Sequence, residues 1–353
     1  MRTTTLKPAE IAIRPEYIIP TMEYVADIPW NGYKVISTFS GAGGSCLGFE
    51  MAGYRVIWAN EFVAAARDVY RLNHPGVILS ADDIRTLTPE AILENAGVMA
   101  GEIDVMEGSP PCASFSSAGR RENNWGIVKN YSDTTQRTDD LFFDYARCLK
   151  GIQPKVFVAE NVAGLVRGVS KGYFKTILEE LKGCGYNVEC LMLDAKFLGV
   201  PQSRKRVIFM GVRRDLGIAP SFPKPYQYFY SIADVLPHVR RYMGGGSLDR
   251  WISAKNPMAT VMASAGTLSP TAYFSANGYM ECKDENGVLE TRKFNISELK
   301  KLCSFPEDFA LTGTFEQQWE RLGRSVPPLM MRAIANHIAW EILQKIGGNN
   351  GGE

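Results

Sequence analysis

Through its first 215 residues the chain alternates short apolar runs with helix-length segments, and that rhythm admits few architectures. Apolar runs predict strands over 33–39, 55–60, 77–80, 103–107, 155–160, 187–194 and 206–212. Between them, helices are predicted over 44–51, 62–73, 139–151 and 171–183. Strands alternating with helices build βαβ units and hence a doubly wound, mostly parallel α/β sheet. Gly41-Ala42-Gly43-Gly44 follows the first strand directly. A glycine turn there lets a ligand approach the backbone at a helix N-terminus.

Beyond Asp215 the rhythm stops. Prolines, glycines and aromatics cluster, and short β-prone pieces at 259–263 and 289–294 replace the βα units. The expected organisation is a large domain over 1–214 plus 318–353, and a smaller loop-rich domain over 215–317. A last helix over 327–346 rejoins the large domain. No run approaches the roughly 18 apolar residues that span a membrane, and the N-terminus has no signal-peptide core. Seven cysteines without regular spacing and only three histidines argue against a disulfide framework and against a metal site. The expectation is a cytoplasmic protein. Net charge is only +1, but Arg204, Lys205, Arg206, Arg213, Arg214, Lys224, Arg240, Arg241 and Arg250 fall in one stretch of the sequence. Such an excess can neutralise phosphates.

Three further segments bear on chemistry. Ser109-Pro110-Pro111-Cys112 ends the fourth apolar run, so two prolines stiffen the approach to a thiol at a strand's C-terminal mouth. Open α/β sheets bind their ligands at that edge. Glu160-Asn161-Val162 ends another run, and Gln202-Ser203-Arg204-Lys205-Arg206 opens the last. With the glycine turn, and in this order, the set resembles the C5-cytosine DNA methyltransferases from about Tyr33 to about Ala339.

That resemblance implies a Rossmann-like, S-adenosyl-methionine-dependent catalytic domain with a smaller target-recognition domain. It implies a double-stranded DNA partner, engaged as a monomer in a bacterial or phage-infected cell. Cys112 is then the nucleophile. Cytosine C5 is too weak to attack a methyl sulfonium until a thiolate at C6 turns it into an enamine carbon. Glu160 acts as the proton source at N3, Arg206 contacts the cytosine O2, and Arg204 holds Glu160 or a nearby phosphate. For the cofactor, Phe39 stacks near the adenine while Ser40, Gly41, Ala42 and Gly44 surround the methionine part. Glu61, followed by Phe62, binds the ribose hydroxyls. Asp83, followed by Ile84, accepts the adenine amine, with Asp82 competing for that role. Pro111 and Leu141 close the pocket. A base inside a duplex hides C5 and C6, so the target is flipped out, and the segment 113–137 is the lid over it.

Ser37 stands where many members of that family have Asp, Ala113 where Gln is usual, and Ser297 where Arg is usual. Gly323-Arg324-Ser325-Val326 matches the family's last motif, which lies beside the sulfonium, with Arg324 in place of Asn. A cation there would repel the sulfonium unless an anion lies between them. Two expectations follow. Either Arg324 turns outward to a carboxylate or phosphate, or the enzyme accepts carboxy-S-adenosyl-methionine and makes 5-carboxymethylcytosine. A tRNA cytosine-5 methyltransferase and a catalytically dead DNA-binding relative are the other readings.

Overall fold

The computed structural model describes residues 14–111, 129–131, 134–136, 141–166, 171–243, 251–263 and 279–349. Cys112, Arg250 and all but six residues of the expected lid lie outside these.

The strands of the large sheet are β1 (Lys34–Thr38), β2 (Arg55–Asn60), β3 (Ile78–Ser80), β4 (Val105–Gly108), β5 (Val156–Val162), β6 (Tyr186–Asp194) and β7 (Lys205–Arg213). Their spatial order is β3-β2-β1-β4-β5-β7-β6. Neighbours from β3 through to β5 are parallel. Only β7 runs antiparallel, inserted between β5 and β6.

Alternate residues of each strand enter two different cores, as a sheet covered on both faces requires. Val35, Val105, Val158 and Ile208 face a core that takes in the helices Gly44–Glu50 and Pro328–Ile338. Ile36, Met106, Phe157, Val207 and Phe209 face the other core, with the helices Leu141–Ile152 and Lys171–Gly183. Further helices of the large body are Ala64–Asn73, Pro89–Ala96, and Phe315–Arg324, which opens on a Thr314/Gln317 capping box.

Beyond β7 stands a second, antiparallel sheet. Its strands, in spatial order, are Trp251–Ser253, Val239–Met243, Tyr279–Lys283 and Leu289–Lys293. Its buried side chains, among them Tyr242, Met280 and Cys282, join the first core rather than forming one of their own. Gln202–Ser203, just before β7, pairs with Met258–Ala259. This seam ties the two sheets together beside the functional edge. No described helix is long and apolar enough to cross a membrane, and no described group of three or more His, Cys, Asp or Glu could hold a metal ion.

Candidate active site

The site is built on the C-terminal ends of β1, β2, β4 and β5 and on the start of the reversed strand β7. After β1 the chain turns through three left-handed residues, Phe39 (φ 54°), Gly41 (φ 57°) and Gly43 (φ 90°), before entering the helix at Gly44. Gly41 faces open space, since an added Cβ would meet no atom within 4 Å. Gly44 is the opposite case. A Cβ there would lie 2.4 Å from the Val326 carbonyl and 3.2 Å from Ser325 Cβ. The last motif of the chain therefore abuts the glycine turn, and only glycine permits that approach.

Glu61, immediately after β2, is 8% exposed. Its two oxygens accept the backbone N–H groups of Gly41 and Val63, each at 2.7 Å. Burial pushes its carboxyl up, against those two hydrogen bonds and the charges of Arg321 and Arg67. Each oxygen retains a lone pair, which suits a vicinal diol such as a ribose. Asp83 accepts the Arg85 backbone N–H at 3.0 Å and its guanidinium at 2.9 Å, whereas Asp82 accepts the Ser80 hydroxyl. Phe39 packs, half-buried, against the apolar cluster that holds Ile84 and Leu141. Phe62 and Pro111 are half-buried. Open backbone at the turn, a two-oxygen acceptor and an apolar wall fit an adenosine-type cofactor.

On the other half of the edge, Arg206 Nε meets Glu160 Oε1 at 2.7 Å. The register sets Ile208 opposite Glu160 and Arg206 opposite Val162, so the pair is a diagonal contact on one face. Asn161, next to Glu160, donates to the Pro110 carbonyl at 3.0 Å. That bond braces the chain two residues before Cys112.

One expectation is corrected. Arg204 does not hold Glu160: it is 2% exposed and aims at backbone, donating to the Gly323 carbonyl at 3.0 Å and more weakly to those of Arg324 and Val261. A guanidinium this deep cannot reach a phosphate on the surface. Burial first, and then the neighbouring charge of Arg206, pushes its pKa down to about 9. The basic stretch is not one patch. Arg213 and Arg214 sit at the far end of β7, roughly 23 Å from Arg206 at 3.3 Å per residue, pairing with Asp215 and with the Lys182 carbonyl.

Arg324 takes the outward course, with its guanidinium on Glu320 at 2.7 Å and its side chain 41% exposed. Within one helix turn its charge meets a carboxylate, the first of the two courses expected of it.

Three residues escape the sequence reading. Arg321 is buried and its charge bears on Glu61; Asn161 braces Pro110; and Glu107 lies beneath the glycine turn. An acid inside the apolar run Val105-Met106-Glu107 was a legible signal for the last. The capping box at Thr314 could have revealed the helix that bears Arg321.

Sheet order, glycine turn and acid-bearing strand ends define a Rossmann-like methyltransferase. The chain belongs to the C-5 cytosine-specific DNA methylase family, whose model matches residues 33–245 and 231–340. It is 38% identical over 350 residues to the Type II methyltransferase M.FnuDI of Fusobacterium nucleatum, covering 88% of this chain and 96% of that protein. Identity to M1.HphI of Haemophilus parahaemolyticus is 31% over 330 residues, covering 86% of each. M.NgoPII of Neisseria gonorrhoeae is 41% identical over 203 residues, 58% of this chain and 54% of that protein. In fold, the chain is similar to a Spodoptera frugiperda DNMT2 variant, with TM-score 0.63 and 19% identity over 90% of this chain and 100% of that one. The S. pombe Dnmt2 methyltransferase gives TM-score 0.60 and 19% identity over 87% and 97%.

Proposed function

We propose that the protein methylates cytosine C5 in double-stranded DNA, as a modification methyltransferase of the Type II kind. The observation that carries this reading is the Glu160–Arg206 pair, standing beside a Pro110 that Asn161 braces, at the mouth of a methylase-family sheet. S-adenosyl-methionine, when bound, supplies the electrophilic methyl group.

Cys112 adds to C6 of a flipped cytosine while Glu160 delivers a proton at N3, which makes C5 nucleophilic. Arg206 orients the Glu160 carboxyl through Nε and holds the Lys205 carbonyl through Nη1, which leaves its Nη2 N–H groups to donate to the base O2. After transfer the C5 proton leaves to water, the Cys112 thiolate is expelled and N3 returns its proton to Glu160, restoring the aromatic ring. Arg204 acts at one remove, fixing the backbone of the last motif against the glycine turn. Glu61 takes the ribose hydroxyls, and Phe39, Ile84 and Leu141 wall the adenine. The 215–317 region serves target recognition, where Arg240 and Arg241 share Glu281 and Arg241 stacks over Trp251 at 4.6 Å.

Incubating the protein with labelled S-adenosyl-methionine and either duplex DNA or tRNA, then weighing the modified nucleoside, tests the reading. 5-Methylcytosine in DNA is expected. Label in tRNA alone would overturn the substrate assignment, and a carboxymethyl product formed with the carboxylated cofactor would reopen the role of Arg324.

A further inference from the structure

Glu107 is 1% exposed and takes no part in the reaction above. The β1–β4 register sets it directly opposite Ser37, so both side chains leave the same face of the sheet. Its carboxylate accepts the Ser37 hydroxyl and, on the other oxygen, Ser45 Oγ at 2.7 Å. Cys46 Sγ lies 3.7 Å away. Ser37 Oγ is in turn 2.7 Å from Ser40 Oγ, inside the cofactor turn. One carboxylate thus gathers donors from the strand before that turn and from the helix after it.

The direction of these bonds depends on a proton. With Glu107 ionised, Ser37 and Ser45 both donate to it. Ser40 then donates inward to Ser37 or to the Asn60 carbonyl 3.3 Å away, and keeps lone pairs for a ligand. Once protonated, Glu107 must itself donate, displacing Ser37 or Ser45. If Ser37 is displaced its hydroxyl turns onto Ser40, and the chain of bonds reverses.

We propose that Glu107 is a positioning residue for cofactor binding, whose carboxylate acts through Ser37 and Ser45 to hold Ser40 and the start of the helix Gly44–Glu50 in the binding geometry. The inference rests on the reading that this turn binds S-adenosyl-methionine. Burial, with a smaller contribution from the charge of Glu160 on β5, pushes the carboxyl up to about 7, against the three side-chain donors. The other titratable groups around it are Cys46 on the Gly44–Glu50 helix, Tyr70 on the helix Ala64–Asn73 and Tyr145 on the helix Leu141–Ile152. Beyond Tyr70, His74 pairs with Glu50 at 2.9 Å. A positively charged cofactor favours the ionised form.

Calorimetric titration of the full-length protein with S-adenosyl-methionine and with S-adenosylhomocysteine, from pH 6 to 8.5, tests the proposal. Affinity should tighten about tenfold as pH rises through 7, because only the ionised fraction is competent. Glu107→Gln should lose that slope and bind about tenfold more weakly at pH 8, with kcat at saturating cofactor within about threefold of wild type. The ligand's own amine titrates against both proteins alike and cancels. Ser37→Asp combined with Glu107→Ser returns a carboxylate to the same register position from β1, and should recover the affinity. Parallel pH slopes in wild type and Glu107→Gln, or a fall in kcat with affinity unchanged, overturn the proposal. If Glu107→Gln does not fold, a flat wild-type profile overturns it equally. Absence of binding at every pH would instead sink the cofactor reading itself.

Discussion

Beneath the functional edge, the β1–β2–β4 side of the sheet buries carboxyls, whereas the β5–β7 side buries an arginine and pairs a second one with an acid. Glu61 and Glu107 are both raised by burial and held by donors, namely backbone N–H groups for one and hydroxyls for the other. Arg204 is lowered by burial and held by carbonyl oxygens. Burying an ion is tolerable only where partners replace its water, and each half supplies partners of the matching polarity. The difference suits the proposed ligands, since a sulfonium cofactor meets the acidic half and a polyanionic duplex carrying a neutral base meets the basic half.

The largest expected effect isolates the basic half. Cys112→Ala should bind S-adenosylhomocysteine normally yet transfer no detectable label to DNA, because the proposed chemistry needs a thiolate to saturate the C5–C6 bond. Any residual turnover above the no-enzyme rate would break the assignment of the nucleophile. Glu160→Gln keeps the shape and loses the proton source, so kcat should fall by about 10²–10⁴ with DNA affinity held. A loss under tenfold in single-turnover assays would leave Glu160 a purely structural partner of Arg206.

The acidic half can be separated from the basic one by pH. An unfolded glutamate titrates near 4.5 and Glu107 in the native state near 7, so across that window the native state holds a proton the unfolded chain has released. The contribution of Glu107 to the stability of the ligand-free protein therefore falls as pH rises through it. Glu107→Gln lacks this contribution and should gain on wild type by up to about 3 kcal/mol between pH 4.5 and 7 in urea unfolding. Above pH 7 the gap should stay constant. The variant would thus be the more stable and the weaker binder, a trade-off characteristic of sites. A stability difference independent of pH would remove Glu107 from the comparison. On the other half, Arg204→Met leaves the Gly323 carbonyl without its donor, and about 2 kcal/mol should be lost. Because the guanidinium stays charged up to about 9, this loss should be flat from pH 6 to 8. A steep pH dependence would show the two halves to be coupled.

Most of the sheet was legible because its strands are continuous apolar runs bounded by glycine and proline, which is what burial on both faces demands. The reversal of β7 was not, since an apolar run has no direction. That reversal brings Arg206 beside Glu160 and sends Arg213 to the opposite end, so the basic stretch of the sequence is divided between the two edges of the sheet. The partner of Glu160 could not be read either: Arg204 and Arg206 are alike in type, and only the seam formed by Gln202–Ser203 and Met258–Ala259 turns the first of them inward. The small sheet was mostly missed because its strands are short and mixed in polarity, and lean on a core shared with the first sheet and its helices. Glu107 was passed over because the run around it reads as an ordinary buried strand.

The smallest expected effect concerns the residue that most unsettled the sequence reading. Arg324 sits one turn along its helix from Glu320, and an exposed i,i+4 pair contributes only about 0.3–0.5 kcal/mol. Its guanidinium belongs to neither half of the comparison, because the carboxylate that neutralises it lies on its own helix. Arg324→Asn should therefore shift the affinity for S-adenosyl-methionine by less than about twofold, within the energy of that pair. The ratio of that affinity to the affinity for carboxy-S-adenosyl-methionine should shift equally little. Both ratios can be read by competition against labelled S-adenosylhomocysteine. A tenfold swing toward the ordinary cofactor on losing Arg324 would mean that the arginine leaves Glu320 when ligand binds. The basic half would then reach across the glycine turn to the transferred group.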